Sequence, residues 1–204
     1  MTDQVIIIGA GGHARVAADI VRAMGLGLRG FLDDQEPARL SSINLLGRVS
    51  DLPRFQEGHV FICAIGSYAA RKAIMQHQVT WLSAIHPSAV VAPDVRIGEG
   101  TLVAANAVIN PGSEIGRGCI INTAATVDHD CHLGDYVHLS PGAHLAGTVR
   151  VGEGAWLGVG AVVSNNLSIC AHSVIGAGAA VVRDITKAGT YVGVPARLME
   201  ERGK

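Results

Sequence analysis

From Ile85 to Thr186 the chain repeats one hydrophobic pattern every six residues. The first position of each six is Ile85, Val91, Ile97, Val103, Ile109, Ile115, Ile121, Val127, Leu133, Leu139, Leu145, Val151, Leu157, Val163, Ile169, Ile175 and Val181, which makes 17 consecutive hexads led by Val, Ile or Leu. The fifth position is nearly always small, as in Ala89, Thr101, Ala107, Ser113, Ala125, Ala143, Ala155, Ala161, Ser173 and Ala179. The second is often Gly, as in Gly98, Gly116, Gly134, Gly152, Gly158 and Gly176. No insertion breaks the register. This is the signature of a parallel β-helix, in which short strands wind around a triangular prism. The aliphatic residue enters the prism and the small one fits beside it at a corner. Gly and Asn are expected to serve the turns, because they tolerate unusual φ and ψ. At three hexads per coil the repeat gives five to six coils and a prism about 27 Å tall.

The first 80 residues follow other periods. Val5 to Ile8 is a run of four aliphatics and reads as a buried parallel strand. After the turn Gly9-Ala10-Gly11-Gly12-His13-Ala14, apolar residues Ala17, Ile20, Val21 and Met24 fall on one face of a helix that Gly25 ends. A second strand near Leu28 to Leu32 leads to Asp33 and Asp34. A third is expected near Val60 to Ile65, then Gly66-Ser67 and a helix from about Tyr68 to His77. Gly47 to Leu52 reads as a loop entering a short helix. These elements make a small α/β Rossmann-like domain over residues 1–82, and the β-helix with a C-terminal cap occupies 83–204. The cap is Val192-Gly193-Val194-Pro195-Ala196-Arg197, laid over the last coil's open edge.

The Gly9-x-Gly11-x-x-Ala14 turn, with an acid about 20 residues later, fits a dinucleotide fingerprint. Glycines at a helix N-terminus offer free N–H groups and a positive dipole end to a phosphate. The acid can accept from ribose, a base or a sugar hydroxyl. Any nucleotide diphosphate satisfies these features. A nicotinamide cofactor calls for a longer doubly wound sheet than 80 residues supply, so a nucleotide-sugar is the expected ligand. His13, inside the turn, is a candidate ligand contact.

Charge and cysteines narrow the classes. Charged residues are 16% of the chain and the net charge is −1, with no basic stripe for nucleic acid and no polybasic run for a membrane surface. The apolar runs are too short to span a bilayer, and the N-terminus opens directly into a strand with no leader signal. Cys63, Cys119, Cys131 and Cys170 show no paired spacing, so a reducing cytoplasmic compartment is expected.

Within the repeat, Asn122 to His132 departs from bland composition, and His138 and His144 follow it. Clustered histidines on a rigid scaffold suggest general-base chemistry or a metal site. His132, His138 and His144 are six apart, so each turns onto a new face, and no metal is expected. His129 lies between Asp128 and Asp130, either of which could fix the imidazole tautomer and favour the imidazolium that forms. His129 is therefore the candidate general base.

The Gly-Gly-His turn, Leu32-Asp33-Asp34, Gly66-Ser67, Ile85-His86-Pro87, Asn122-Thr123, Val127-Asp128-His129-Asp130-Cys131, His138 and the Val192-to-Ala196 tail together resemble the bacterial nucleotide-sugar acetyltransferases of the PglD and NeuD type, a branch of the hexapeptide-repeat acyltransferases. The resemblance runs almost the full length. It implies a left-handed β-helix, a homotrimer, acetyl-CoA as co-substrate in the groove between prisms, and a UDP-linked amino-sugar on the N-terminal domain. It implies His129 as base and Asp130 as its acid, where the family commonly has Glu. Gly147 would be the oxyanion donor. His138, Gly147, Val159, Ala177 and Gly178 match acetyl-CoA contacts. Gly11, Gly12, His13, Asp33, Asp34, Gly66 and Asn122 match nucleotide-sugar contacts. The expected activity is N-acetylation of a nucleotide-linked amino-deoxy sugar by direct attack. The alternatives are O-acetylation of a sugar or sialic acid hydroxyl, or a non-catalytic nucleotide-sugar-binding module.

Overall fold

A computed structural model describes residues 4–35 and 44–199. In the N-terminal part the elements run β1 (Gln4–Ile8), α1 (Gly12–Ala23), β2 (Leu28–Leu32), β3 (Leu45–Gly47), a 3-10 helix (Val49–Phe55), β4 (His59–Cys63) and α2 (Tyr68–Ile74). The four strands form a parallel sheet in the order β3-β2-β1-β4. The aliphatic run of β1 is buried because both faces of the sheet are covered. Val5 and Ile7 pack with Ala17, Ile20 and Val21 of α1. Ile6 and Ile8 pack with Leu52, Phe61 and Trp81 on the other side. The sequence pattern did not reveal β3, whose three residues are too short to show a period, and the helix after Gly66 is shorter than expected.

The rest is a left-handed parallel β-helix. Seventeen two-residue strands run from Ala84–Ile85 to Ala180–Val181 and stack with an 18-residue spacing. They build three faces. The first carries Leu102–Val103, Ile120–Ile121, His138–Leu139 and Trp156–Leu157; the second Val108–Ile109, Thr126–Val127, His144–Leu145 and Val162–Val163; the third Glu114–Ile115, His132–Leu133 and Arg150–Val151. The second residue of each pair, the leading aliphatic of its hexad, fills the prism beside the small fifth-position residues. His132, His138 and His144 thus sit on three different faces. Thr190–Val192 adds to the first face, and Arg197–Leu198 turns back on it antiparallel to close that end.

The turn residues need a correction. The left-handed backbone conformation falls on the fourth position of the hexad, at every fourth position from Gly100 to Gly178, including Asn106, Ala124, Asp130, Tyr136, Thr148, Asn166 and His172. The second-position glycines serve a different need. A Cβ on Gly158 would stand 2.7 Å from the Ala177 nitrogen, and one on Gly116 would stand 2.7 Å from the Asp135 nitrogen. They let one coil lie against the backbone of the next.

The first face holds the two parts together. Ala84, Leu102, Ala104 and Ile120 bury themselves against α1. At the other side, Arg71 of α2 is 1% exposed. Its Nε donates to Gly118 O at 2.8 Å, one terminal nitrogen to Ile65 O and Gly66 O at 2.8 and 2.9 Å, and the other to Tyr136 O at 2.7 Å. Tyr68 and Lys72 add contacts to Glu153 at 2.8 and 2.6 Å. Arg71→Met should destabilise the protein by about 3 kcal/mol or more, because carbonyls on both sides lose charged donors while staying buried. Urea unfolding measures this; a loss below about 0.5 kcal/mol would show that the joint does not depend on Arg71.

Candidate active site

His129 stands at the edge between the second and third faces, where the chain turns from Thr126–Val127 toward His132–Leu133. The fourth-position residue here is Asp130, with φ 57°. That left-handed turn swings its carboxylate back, and Oδ2 lies 2.9 Å from His129 Nδ1. A short Asp therefore does reach the ring. Asp128 acts on the backbone instead: Oδ1 accepts the His129 N–H at 2.8 Å and Asn110 Nδ2 at 2.9 Å. The hydrogen bond to Asp130, with the charges of both acids, holds the His129 pKa above its ordinary value.

Gly147 lies one coil above His129. Its N–H donates to no group among the described residues. A Cβ at Gly147 would fall 2.5 Å from His129 Nε2, so even alanine would push the ring aside. The next residue, Thr148, adopts φ 64°, a costly conformation for a β-branched side chain, and donates its N–H to His129 O at 2.8 Å. The imidazole is thus anchored at Nδ1, with Nε2 lying beside a bare stretch of backbone.

The glycine turn forms a second cluster. Gly9, with φ 101°, makes the tight turn after β1. Gly11 caps α1 without any side-chain hydrogen bond, and neither Gly11 nor Gly12 has an atom within 4 Å of where a Cβ would be. The first N–H groups of α1 therefore face open space suited to a phosphate. Asp33 braces the turn, its Oδ2 accepting the Ala10 N–H at 2.6 Å and its Oδ1 the Gln35 N–H at 2.9 Å. Asp34 accepts the Val49 N–H at 3.0 Å. Both acids are partly committed to backbone, a role that their place after β2 does not reveal in the sequence.

Between the turn and the prism stands a row of rings. His13 lies 6.3 Å from His138, and His138 stacks at 6.0 Å on Trp156. Asn122 Nδ2 is 3.5 Å from His138 Nε2. Burial and the nearby Arg71 charge lower the His13 pKa. Burial first, then Arg71 and His13, pushes His138 down to about 3. Both rings are neutral at physiological pH, and His13 Nε2 is buried without a partner. Above them opens a cleft of about 530 Å³ lined by Gly66, Ser67, Tyr68, Tyr136, Trp156 and His172. Sequence patterns do not single out Tyr68, Arg71 or Trp156; the only signal is Trp156 at an outward hexad position in a chain with two tryptophans.

Residues 4–77 match the family described as PglD N-terminal domain. The acetyltransferase domain of PglB from Neisseria gonorrhoeae FA1090, solved with acetyl coenzyme A, is 36% identical with a TM-score of 0.93, covering 98% of this chain and 100% of that one. PerB from Caulobacter crescentus, solved with CoA and GDP-perosamine, is 44% identical with a TM-score of 0.90, covering 97% of each chain. The UDP-N-acetylbacillosamine N-acetyltransferase of Bacillus subtilis (strain 168) is 39% identical over 110 residues, 50% of this chain and 51% of that protein. The protein belongs to the PglD-type sugar acetyltransferase family. The matches to two curated relatives span 21% and 51% of their lengths.

The PglD-type fold gathers its expected site residues into three groups. His129, Asp130 and Gly147 share the edge between the second and third faces. Val159, Ala177 and Gly178 lie on the edge between the first and second faces. His138, expected among the acetyl-CoA contacts, lies near Asn122 and His13 and lines the cleft together with Gly66. One chain does not bring the first two groups together. Asp130→Asn should move the His129 pKa down toward its ordinary value, and His138 should stay neutral in both proteins from pH 5 to 8. Imidazole NMR titration reads both; an unmoved His129 would remove Asp130 as its ring partner.

Proposed function

We propose that the protein transfers acetyl from acetyl-CoA to the amino group of a nucleotide-linked amino-deoxy sugar, with UDP-4-amino sugars as the preferred class. The observation that carries this reading is the His129 ring, fixed at Nδ1 by Asp130 and presenting Nε2 beside the Gly147 backbone. The neutral amine attacks the thioester carbonyl and a C–N bond forms. His129 Nε2 takes the amine proton, and the Asp130 carboxylate stabilises the imidazolium. The Gly147 N–H receives the developing oxyanion, a contribution worth roughly 3 kcal/mol of barrier. The C–S bond then breaks, and the proton on His129 passes to the departing thiolate of CoA.

The diphosphate of the substrate lies on the Gly11-Gly12 turn, with the nucleoside toward Asp33 and Asp34 and the sugar toward His13, Asn122 and His138. Neutral rings suit that place, because a protonated His13 or His138 would compete with the amine for the base. Relatives solved with GDP-perosamine and named for UDP-N-acetylbacillosamine support a nucleotide-linked sugar while leaving the nucleotide to the assay.

A second copy completes the site in this reading. The second face exposes Val90 at 63% and Val162 at 41%, and Val159 beside it is 57% exposed. Exposed apolar side chains at both ends of this face and on its edge invite another prism. Packing the His129 edge of one copy against the Val159 edge of the next makes a head-to-tail contact, which closes as a ring. The assembly is a homotrimer with acetyl-CoA lying in each groove.

Thiol release from acetyl-CoA with a panel of UDP- and GDP-4-amino sugars tests the activity. One of them should be acetylated, and His129→Ala should lower turnover by on the order of 10²–10⁴ with the fold retained. Near-normal turnover in that variant would remove His129 from the mechanism. Sedimentation should give three times the monomer mass. Mixing His129→Ala subunits with subunits disabled at Gly12 should restore part of the activity; a fully active monomer would rule out the shared site.

A further inference from the structure

The first residue of each strand pair points out of the prism, and the faces differ in what they show. The third face carries Arg96, Glu114, His132, Arg150 and Ser168, with an Arg96–Glu114 ion pair at 2.8 Å. The second carries Val90, Val108, Thr126, His144, Val162 and Ala180 in register. His144 is the one titratable group in that column, and it is exposed. Thr126, one coil below, holds the ring, with Oγ1 2.9 Å from Nδ1. Among the described residues no hydrogen bond engages Nε2. Nor do three His, Cys, Asp or Glu side chains of one chain come together there as metal ligands.

The trimer proposed above turns this column onto its own copies. The contact pairs the His129 edge of one prism with the Val159 edge of the next, and the second face lies between those two edges. A closed ring of three holds that face either toward the axis or away from it. The opposite edge of the prism, between the third and first faces, carries the N-terminal part. Arg71 bonds there to Gly118 and Tyr136, and Tyr68 to Glu153. Three such bodies do not fit on one axis, so the second face turns inward. Threefold symmetry then brings equal residues together at equal height. Three His144 rings face one another, with Val162 and Ala180 above them and Val108 and Val90 below Thr126.

We propose that the three His144 imidazoles bind one divalent transition-metal ion of the zinc class on the threefold axis. This rests on the trimer reading above and adds to it a ligand that clasps the assembly. Within one chain His132, His138 and His144 are scattered over three faces, whereas symmetry supplies three copies of one. Imidazole nitrogen suits zinc, nickel and copper, and three histidines with an open fourth position are a donor set that zinc accepts. Donation from Nδ1–H to Thr126 Oγ1 fixes the tautomer that leaves a lone pair on Nε2. An acceptor behind the ring is the support a ligating imidazole requires. The three Nε2 atoms would converge to about 2.1 Å from one point. The valines above and below make the surroundings apolar, which leaves the imidazoles as the ligands at that height.

The full-length protein, stripped with a chelator and sized by sedimentation, is titrated with zinc by calorimetry and with cobalt(II) by visible absorption. The expected result is one ion per three chains, the cobalt absorption of a tetrahedral site, and a Tm raised by several degrees with zinc. His144→Ala should weaken zinc binding by about 100-fold or more. Thr126→Val, which removes the acceptor behind the ring and keeps its shape, should weaken it about tenfold at unchanged stoichiometry. A trimer that takes up no zinc, or binds it equally after His144→Ala, overturns the metal site and leaves the trimer reading standing. One ion per chain overturns it as well. If His144→Ala does not assemble, Thr126→Val decides, and unchanged affinity in that variant overturns the site. A monomer or dimer in sedimentation overturns the ring itself, and the metal site with it.

Discussion

A coil of 18 residues that closes without insertion is the constraint on which the rest depends. Because residues 18 apart lie directly over one another, a side chain's height and edge are fixed by its number alone. His129 lies beneath Gly147 for this reason, and the absence of a Cβ on Gly147 matters only because the two are in the same column. The coil also fixes which hexad positions can do chemistry. The first and fifth positions are buried, the fourth adopts a left-handed turn, and the third points outward at a corner. At Asp130 the turn requirement and the chemical requirement coincide, since the left-handed backbone that makes the corner returns the carboxylate to the ring. Asp tolerates that conformation better than most residues.

The joint between the two parts has a different character. The apolar contact of α1 with Leu102 and Ile120 is non-directional and would tolerate sliding. Arg71 supplies direction: its hydrogen bonds end on carbonyls of both parts, so its geometry is satisfied in one arrangement only. A buried guanidinium without a carboxylate would be costly if any of these carbonyls moved away. The same charge adds to burial, the larger cause, in lowering the pKa values of His13 and His138. One residue therefore fixes the angle between glycine turn and prism and adds its charge to the burial of the rings between them.

The repeat was legible because burial imposes one rule on every coil, and the first-position aliphatics obey it without exception. Strands β1 and β2 and the helix after the glycine turn were legible for the same reason. What the sequence hid has physical causes. Leu45–Gly47 is too short to show a period, and its place in the sheet is set by pairing with Phe31. The role of the second-position glycines depends on how closely the next coil approaches, which a one-dimensional pattern does not carry. Arg71 reads as an ordinary arginine on a helix, and only the prism's carbonyls make it buried. The Asp128 and Asp130 roles turned on a backbone dihedral at position 130, which neighbouring residue types leave open.

Cys131 bears on whether the reaction passes through an acyl-enzyme. It is two residues from His129, close enough in the chain to suggest a nucleophile beside its base. Its thiol, however, is turned into the prism and donates to Ala146 O at 3.2 Å. Burial raises its pKa, and the charges of Asp128 and Asp130 push the same way. A thiolate there would have to form against both effects, and it would then face the packed core and not the open side of the His129 ring. The acids that raise the His129 pKa thus add to the burial that disarms its neighbouring thiol. With the thiol withdrawn, the proposed reaction is left with direct attack by the amine, for which the rigid coil already holds the His129 ring and the Gly147 N–H in one column.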